Sequence, residues 1–325
     1  MKKRILALVL VLVVIFSASC SGAIKSTDEQ ARVVGECGGN DVRYEELRYI
    51  TLTCKAALAD KYGEDIFSSA SSEWVGEYAE ELEEMVEEQI CQNYASLETF
   101  EAKKIKTTDS VTKKEVREYV AAVIDALGGE EEYVAYLDEC FMTDSVLRLN
   151  TALESCFYRY YEVVSAEWDK EAYDAVLAKD GFVRTMSIFI RNDEGESVDK
   201  NRASAESVRS EIAAGKPLSS FIGTKYNQDT GMCDYYFMEG YFDEAYEEAA
   251  FALEIGGISP VVETADGFYI IQRMALDEGY MLDNIDSLKA IYVECKMYET
   301  INGLADELDF ELNSYGKSID LWTME

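Results

Sequence analysis

The stretch that decides the fold begins with Val183-Arg184-Thr185-Met186-Ser187-Ile188-Phe189-Ile190 and ends with Gly267-Phe268-Tyr269-Ile270-Ile271. The first run alternates in part between polar and apolar residues, which is typical of a β-strand. Between the two runs, the composition of residues 203–214 favours a helix that ends at Gly215-Lys216-Pro217. The segment therefore combines strand-like and helix-like sequence. No histidine occurs in it or anywhere else in the chain.

Further motifs stand between these two runs. They are Tyr226-Asn227-Gln228-Asp229, the aromatic run that ends at Phe237, the helix-like residues 242–253, and Ile258-Ser259-Pro260-Val261-Val262. Together, and in this order, they resemble the sequence pattern of parvulin-type prolyl isomerases from Val183 to Met274. The residues 242–253 are the best match to that pattern.

The resemblance implies a small antiparallel sheet with surrounding helices and a shallow apolar cleft for proline-containing segments. It places Asp229 at the position where parvulins carry Asp or Cys, and Ser187 and Tyr269 at the positions of their two histidines. These three are the expected catalytic residues. The expected substrate-binding residues, which would hold the proline ring, are Phe237, Phe242 and Tyr246. The hydroxyl groups of Ser187 and Tyr269 can form hydrogen bonds, but they lack the two nitrogens of an imidazole.

Each of these residues also has an ordinary structural interpretation. Aromatic residues at helical spacing most often belong to a core, and Asp229 close to Asn227 and Thr230 is typical of a turn. Ser187 and Tyr269 would then be ordinary strand residues. Only the ordered set of motifs favours a functional site.

The N-terminus has the pattern of a secretory signal peptide over residues 1–19. Basic residues are followed by an apolar run from Ile5 to Phe16, which is too short to span a bilayer, and then by small residues up to Cys20. Cys20 resembles the lipidated cysteine of bacterial lipoproteins, so residues 20–30 are predicted to be a lipid-anchored tether. Because Ser17 stands where that pattern usually has leucine, cleavage to a soluble secreted protein stays an alternative.

Residues 31–180 are predicted to form a mostly helical domain. Apolar residues recur at helical spacing from Val75 to Leu97, and Thr112 with Glu115 has the spacing of a capping box before a helix that ends at Gly128. A further stripe runs from Ile285 to Leu304. This pattern resembles the chaperone domain of extracytoplasmic foldases of the SurA and PrsA kind.

The predicted fold class is α+β. A discontinuous helical domain (31–180, completed by a C-terminal helix within 278–325) would carry an inserted parvulin-like module at 181–277. The alternative is that the C-terminal helix lies on the module itself.

Composition narrows the function further. The net charge of −34 argues against a nucleic-acid partner, because polyanion binding needs clustered Lys and Arg. The eight cysteines include no C-x-x-C pair, so they are expected to be mostly free and buried, and no metal or cofactor is expected. Without histidine, neither a Ser-His nor a Cys-His nucleophile can form, which excludes those hydrolases.

The sequence therefore predicts an exported foldase, tethered to the extracytoplasmic face of the cell membrane by a lipid. It would bind unfolded exported proteins with proline-containing segments and catalyse isomerisation of their prolyl bonds. A non-catalytic holdase is the first alternative. An envelope adaptor with one fixed partner is the second, since the 22 tyrosines could supply its surface.

Overall fold

The computed structural model describes residues 25–63, 65–68, 75–192, 197–227, 234–264 and 266–325. The chain divides into two compact units. Within the described ranges, the first unit comprises the residues of Val164–Glu299. The second unit comprises those of 25–163 together with Thr300–Glu325. Each unit contains one small antiparallel sheet among helices, so the predicted α+β fold class is confirmed. The boundaries proposed at 31–180, 181–277 and 278–325 stay a prediction.

The described residues form strands and helices that we number separately in chain order. The strands are β1 (Val33–Cys37), β2 (Asn40–Arg43), β3 (Val183–Arg191), β4 (Asp234–Phe237), β5 (Val262–Thr264), β6 (Gly267–Met274) and β7 (Phe310–Leu312). The helices are α1 (Tyr44–Tyr62), α2 (Asp65–Ser68), α3 (Val75–Ala102), α4 (Ser110–Leu127), α5 (Glu130–Glu139), α6 (Asp144–Glu167), α7 (Asp169–Ala178), α8 (Val198–Ala213), α9 (Glu244–Ala252), α10 (Glu278–Asp283) and α11 (Ile285–Ala305).

The sheet of the second unit has the strand order β2-β1-β7. Strand β1 is central and pairs antiparallel with both neighbours, and its buried residues pack with helices α1 and α3. Gly35 sits where β1 and β7 come close together. A Cβ atom at this position would lie 2.6 Å from the backbone oxygen of Glu311, so the strand pairing requires glycine here.

The C-terminal segment contains more than the single helix that we predicted for it. It holds α10, α11, strand β7 and a 3₁₀ turn at Gly316–Ser318. In the second unit, Lys55 Nζ donates to the backbone oxygens of Trp322 and Met324 at 3.0 and 2.7 Å. The ring of Trp322 also packs on Phe67 at 4.7 Å. The last residues of the chain are therefore part of the core of this unit.

Helix α4 begins earlier than the sequence predicted. Its N-cap is Asp109, whose Oδ1 accepts from the backbone N–H groups of Val111 and Thr112 at 3.0 and 2.9 Å. The predicted capping box of Thr112 and Glu115 is wrong, because Thr112 lies inside the helix and donates to the Lys106 carbonyl, while Glu115 bonds Ser155. The predicted end is confirmed, since Gly128 is the C-cap in the left-handed conformation at φ 100°.

Replacing Asp109 by alanine is expected to lower the free energy of unfolding by about 1 kcal/mol at pH 7, the usual cost of losing an N-cap. The hydrogen bond from the Thr112 backbone, and then that from Arg159 at 2.9 Å, hold the pKa of Asp109 below its ordinary value of 3.8. A carboxylate whose pKa is lowered by folding stabilises the fold at pH values above its ordinary pKa. This stabilisation is lost as the carboxylate becomes protonated at lower pH. The difference in the free energy of unfolding between the wild-type protein and Asp109→Ala should therefore become smaller as the pH falls below 3.8.

Chemical denaturation at a series of pH values measures this gap. Asp109→Asn is the matched control, because asparagine caps a helix about as well but cannot pair ionically with Arg159. A gap that stays constant from pH 7 down to pH 3 would contradict the prediction.

Six of the eight cysteines lie in the described residues, and all six are free thiols. Cys20 and Cys233 lie outside them. Burial raises the pKa of Cys37, Cys54 and Cys295 to about 12, which keeps these thiols protonated and unreactive. The Sγ atoms of Cys37 and Cys91 lie 3.8 Å apart within the second unit, a proximity that the sequence did not predict.

The sheet of the first unit has the strand order β4-β3-β6-β5, with all pairs antiparallel. Its two faces are covered by different helices. Helix α8 packs on the face that presents Ile188, Ile190, Phe268 and Ile270. Helix α9 packs on the face that presents Val183, Val262 and Ile271. The strand prediction for residues 183–190 is confirmed, and the helix predicted at 203–214 begins five residues earlier than expected, at Val198.

The predicted signal peptide (1–19) and the predicted lipidation site at Cys20 lie outside the described residues. The predicted tether (20–30) is described only from Lys25 onward. Among the described helices, none has the length and apolar character that a bilayer crossing needs.

Candidate functional site

The candidate site begins with the side chains that alternate along β3. Thr185 and Ser187 are buried at 0% and 2% exposure and, by the period of two along a strand, share a face with Val183 and Phe189. This is the face that helix α9 covers. The register of the sheet sets Ser187 opposite Ile271 and Phe189 opposite Tyr269. The polar residues of β3 thus lie on the same side of the sheet as an aromatic group from β6.

Tyr269 connects two parts of the site. Its ring stacks on Phe189 at 4.3 Å with an interplanar angle of 16°. It also meets the Tyr246 ring edge to face at 5.0 Å. Gly267 precedes it with φ 150°, and a Cβ atom there would lie 2.2 Å from the Ile190 carbonyl oxygen. The start of β6 therefore requires glycine, and this fixes the position from which Tyr269 projects.

Helix α9 supplies the next aromatic group. Its N-cap is Asp243, whose side chain accepts from the backbone N–H groups of Ala245 and Tyr246. Tyr246 is 2% exposed, and its hydroxyl lies 2.7 Å from Thr185 Oγ1. Its ring centroid is 5.0 Å from that of Phe242 and 5.8 Å from that of Phe237. The hydrogen bond and the ring contacts together fix Tyr246 between the helix and the sheet.

Phe242 stands just before α9 and is only partly buried. Its ring contacts those of Phe237 at 4.9 Å, Tyr235 at 5.3 Å and Tyr241 at 5.3 Å. Phe237, in contrast, has no exposed surface. Phe242 and Tyr269 therefore present the accessible part of the aromatic cluster, while Phe237 and Tyr246 support it from within.

A buried carboxylate holds the loop that carries Phe242. Glu247 accepts from the backbone N–H groups of Gly240, Tyr241 and Phe242, with distances between 2.8 and 3.1 Å. Burial raises the pKa of Glu247, and the three backbone hydrogen bonds oppose that rise. Because Glu247 belongs to α9, the loop is attached to the helix that also carries Tyr246.

Strand β4, which brings Phe237, is fixed by an ion pair at its first residue. Arg184 Nε and Nη2 donate to the two carboxylate oxygens of Asp234 at 2.8 and 2.6 Å. This hydrogen bonding raises the pKa of Arg184 above its ordinary value. A bidentate pair of this kind has a defined geometry, so it sets the register of β4 on β3.

The structure brings together most of the residues predicted from the sequence. Phe237, Phe242, Tyr246 and Tyr269 form one cluster, and Ser187 lies on the sheet face beneath it. Asp229 lies outside the described residues. Among those that are described, no group of three residues is placed to hold a metal ion.

Two residues of the site were missed at the sequence level. Thr185 bonds Tyr246, and its position two residues before Ser187 on one strand face was the available signal. Asn227 was interpreted as a turn residue, but it is buried and its Oδ1 accepts from the Phe189 backbone N–H at 3.3 Å. Asn227 is therefore held against β3.

Comparison with known proteins agrees with this geometry. Residues 188–275 match the family model of the PPIC-type PPIase domain, also called rotamase. The chain is 22% identical over 276 residues to the foldase protein PrsA of Oceanobacillus iheyensis, an alignment that covers 77% of this chain and 83% of that protein. The predicted resemblance to parvulin-type isomerases and to PrsA-like foldases is thus confirmed.

Two solved structures are also similar to this chain. The foldase protein PrsA from Streptococcus pneumoniae has a TM-score of 0.37 and 19% identity, over 68% of this chain and 82% of that one. PrsA from Bacillus subtilis has a TM-score of 0.27 and 18% identity, over 86% of this chain and 91% of that one.

Proposed function

We propose that this protein is an exported foldase whose parvulin-like module, residues 181–277, catalyses cis-trans isomerisation of prolyl peptide bonds. The observation that carries the proposal is the aromatic cluster of Phe237, Phe242, Tyr246 and Tyr269. The cluster lies on the sheet face that carries Thr185 and Ser187 of β3. Its four residues belong to the segment that matches the PPIC-type family model. The helical remainder of the chain would hold unfolded exported proteins.

The reaction requires no covalent chemistry. Rotation about a peptide bond has a barrier of about 20 kcal/mol, because the twisted amide loses its resonance. A site lowers this barrier when it binds the twisted amide more tightly than either planar form. An apolar surface that holds the proline ring, beside polar groups that favour the twisted carbonyl, has this property.

Each site residue has a role in this mechanism. Phe242 and Tyr269, the accessible aromatic groups, contact the proline ring, and Phe237 and Tyr246 keep them in place. Asp229 would supply the negative charge beside the substrate carbonyl, and Asn227, two residues earlier, is held against β3 by its hydrogen bond with the Phe189 backbone. Ser187 and Tyr269 stand where parvulins carry their two histidines, and their hydroxyl groups would supply part of the polar surroundings of the twisted amide.

Export and attachment complete the proposal. Residues 1–19 would be removed as a signal peptide, and a lipid on Cys20 would hold the protein on the extracytoplasmic face of the membrane. A mass measurement of the protein purified from membranes tests this, because lipidation adds diacylglycerol mass to a chain that begins at Cys20. Recovery of the protein from the culture medium, with the mass of an unmodified chain that lacks the signal peptide, would show that it is secreted without an anchor.

The decisive experiment is an isomerisation assay on a short proline peptide. The wild-type protein is expected to accelerate isomerisation, and Asp229→Ala is expected to reduce kcat/KM by about tenfold or more, the scale of losing one preorganised polar group. Asp199→Ala is the matched control, since Asp199 is an exposed acidic residue of α8 in the same module. An equal loss in both variants would contradict the role of Asp229.

A second candidate function is a holdase that binds proline segments without isomerising them. It is favoured by the absence of histidine from the site and by the hydroxyl of Tyr246, which is already bonded to Thr185. Suppression of client aggregation without any acceleration of the peptide isomerisation would establish this alternative in place of the enzyme.

A further inference from the structure

Two buried thiols of the second unit face each other where strand β1 packs on helix α3. Cys37 ends β1 and has no exposed surface, and Cys91 lies in α3 with 5% exposure. Their Sγ atoms are 3.8 Å apart, although the two residues are separated by 54 positions of sequence. Both belong to the core cluster of this unit. The two thiols therefore lie at a junction between distant segments of the chain.

The surroundings of this pair favour a neutral form of sulfur over a thiolate. Burial, and then the neighbouring Cys91, raise the pKa of Cys37 to about 12, and the charges of Glu98 and Glu87 act in the same direction. Burial also raises the pKa of Cys91. A metal ion would need thiolates and further ligands, and the described part of the chain offers no group of three side chains to hold one. A disulfide carries no charge, so it suits this site.

The two sulfur atoms are close enough to be joined by a local adjustment. A disulfide bond has an S–S length of about 2.0 Å, so the two atoms would have to approach each other by about 1.8 Å. This is about the length of one C–S bond, and rotation of the two side chains moves the sulfur atoms on that scale. The bond therefore fits the observed packing of β1 on α3.

A C-terminal residue covers this pair in the folded unit. The backbone oxygen of Leu308 lies 3.6 Å from Cys91 Sγ, and a Cβ atom on Gly38, the residue after Cys37, would lie 3.2 Å from the Leu308 side chain. Leu308 follows Cys91 by 217 positions, so the two thiols can meet while they are still accessible to reagents. Once Leu308 is in place, the buried thiols are shielded, and a bond already formed between them is shielded too.

We propose that Cys37 and Cys91 form a disulfide bond, which fastens β1 to α3, when the chain folds in the presence of a disulfide oxidant. One cysteine thiolate attacks a sulfur of the oxidant, which gives a mixed disulfide and releases a thiol. The second thiolate then attacks the cysteine sulfur of that mixed disulfide and releases the other thiol. Two S–H bonds break and one S–S bond forms, and the two electrons and two protons reduce the oxidant to two thiols. The proposal rests on the proposed export, because such oxidants are met outside the cytoplasm.

Refolding of the reduced, urea-unfolded protein with and without oxidised glutathione tests this site. Remaining thiols are blocked with an alkylating reagent, and proteolytic peptides are identified by mass without reduction. With the oxidant, we expect the peptides of Cys37 and Cys91 as one cross-linked species, lighter than their sum by two hydrogen atoms. Hydrogen exchange of the most protected α3 amides should then be slower by about a hundredfold than in the reduced protein, which is the scale of one disulfide that closes a long loop.

Cys54→Ala is the matched control. Cys54 is buried in the same core cluster, but burial and the charge of Glu88, not a second cysteine, raise the pKa of its thiol. This variant should form the cross-link, whereas Cys37→Ala should lose both the cross-link and the slower exchange. The wild-type comparison alone decides the result if a variant fails to fold.

Three results would overturn the inference. They are a Cys37 that stays free after oxidative refolding, a Cys37 joined to glutathione or to a cysteine other than Cys91, and a cross-link that leaves the exchange of α3 unchanged. Phe242→Ala should form the cross-link as the wild type does, so the readout does not depend on isomerase activity. Because the oxidant is supplied in the experiment, a failure of the proposed export would not change its result either.

Discussion

Replacing Phe242 by alanine is expected to lower kcat/KM for a short proline peptide by about tenfold, while the fold is retained. Phe242 is a half-buried member of the aromatic cluster, so its ring is available to cover the proline of a substrate. The loss of this apolar contact in the transition state is worth about 1.5 to 3 kcal/mol, the scale of burying one large apolar side chain, and each 1.4 kcal/mol is about a tenfold change in rate.

A protease-free isomerisation assay, with circular dichroism to verify folding, measures this effect. Tyr280→Ala is the control, because Tyr280 is 41% exposed and stacks at 4.4 Å on Tyr236, a residue outside the aromatic cluster. Its kcat/KM should stay within about twofold of the wild type, as expected for a surface change. Full activity in a well-folded Phe242→Ala protein would show that the aromatic cluster does not contribute to catalysis.

Replacing Phe237 by alanine is expected to lower the free energy of unfolding of the first unit by about 3 to 5 kcal/mol, the usual cost of truncating a buried phenylalanine. Phe237 has no exposed surface and contacts Phe242, Tyr246 and Phe251. Its loss would leave a cavity beneath the accessible rings. Activity should fall as well, since Phe242 and Tyr246 would lose their shared support.

Urea denaturation followed by near-ultraviolet circular dichroism measures the stability. Phe251→Ala is the matched control, because Phe251 touches the same Phe237 ring but is 40% exposed. We expect it to cost less than about 1.5 kcal/mol, since a half-exposed ring buries less apolar area. Equal destabilisation of both variants would show that the burial of the Phe237 ring does not determine its contribution to stability.

The sequence predicted the parts of the fold that rest on local patterns. The alternation of residues 183–190 indicated β3, and the motif that includes Phe242 and Tyr246 indicated both α9 and the aromatic cluster. These residues lie close together in sequence or belong to one ordered set of motifs. Their side chains meet because the register of one small sheet brings them together.

Other features depend on distant parts of the chain and left no local signal. Strand β7 has only three residues and owes its existence to pairing with β1. The start of α4 was placed too late because Asp109 and Thr112 are both good caps, and the earlier one pairs with Arg159 of another helix.

The pairing of β1 with β7 has a consequence for the order in which this protein can fold. Asn313 Nδ2 donates to the Val33 carbonyl across 280 positions of sequence, so the second unit gains its third strand only after residues 310–313 have been synthesised. All four strands of the first unit are synthesised before that point. If the chain is exported from its N-terminus, as we propose, it would expose an unpaired edge of β1 until residues 310–313 emerge, and until then it would itself need protection from aggregation.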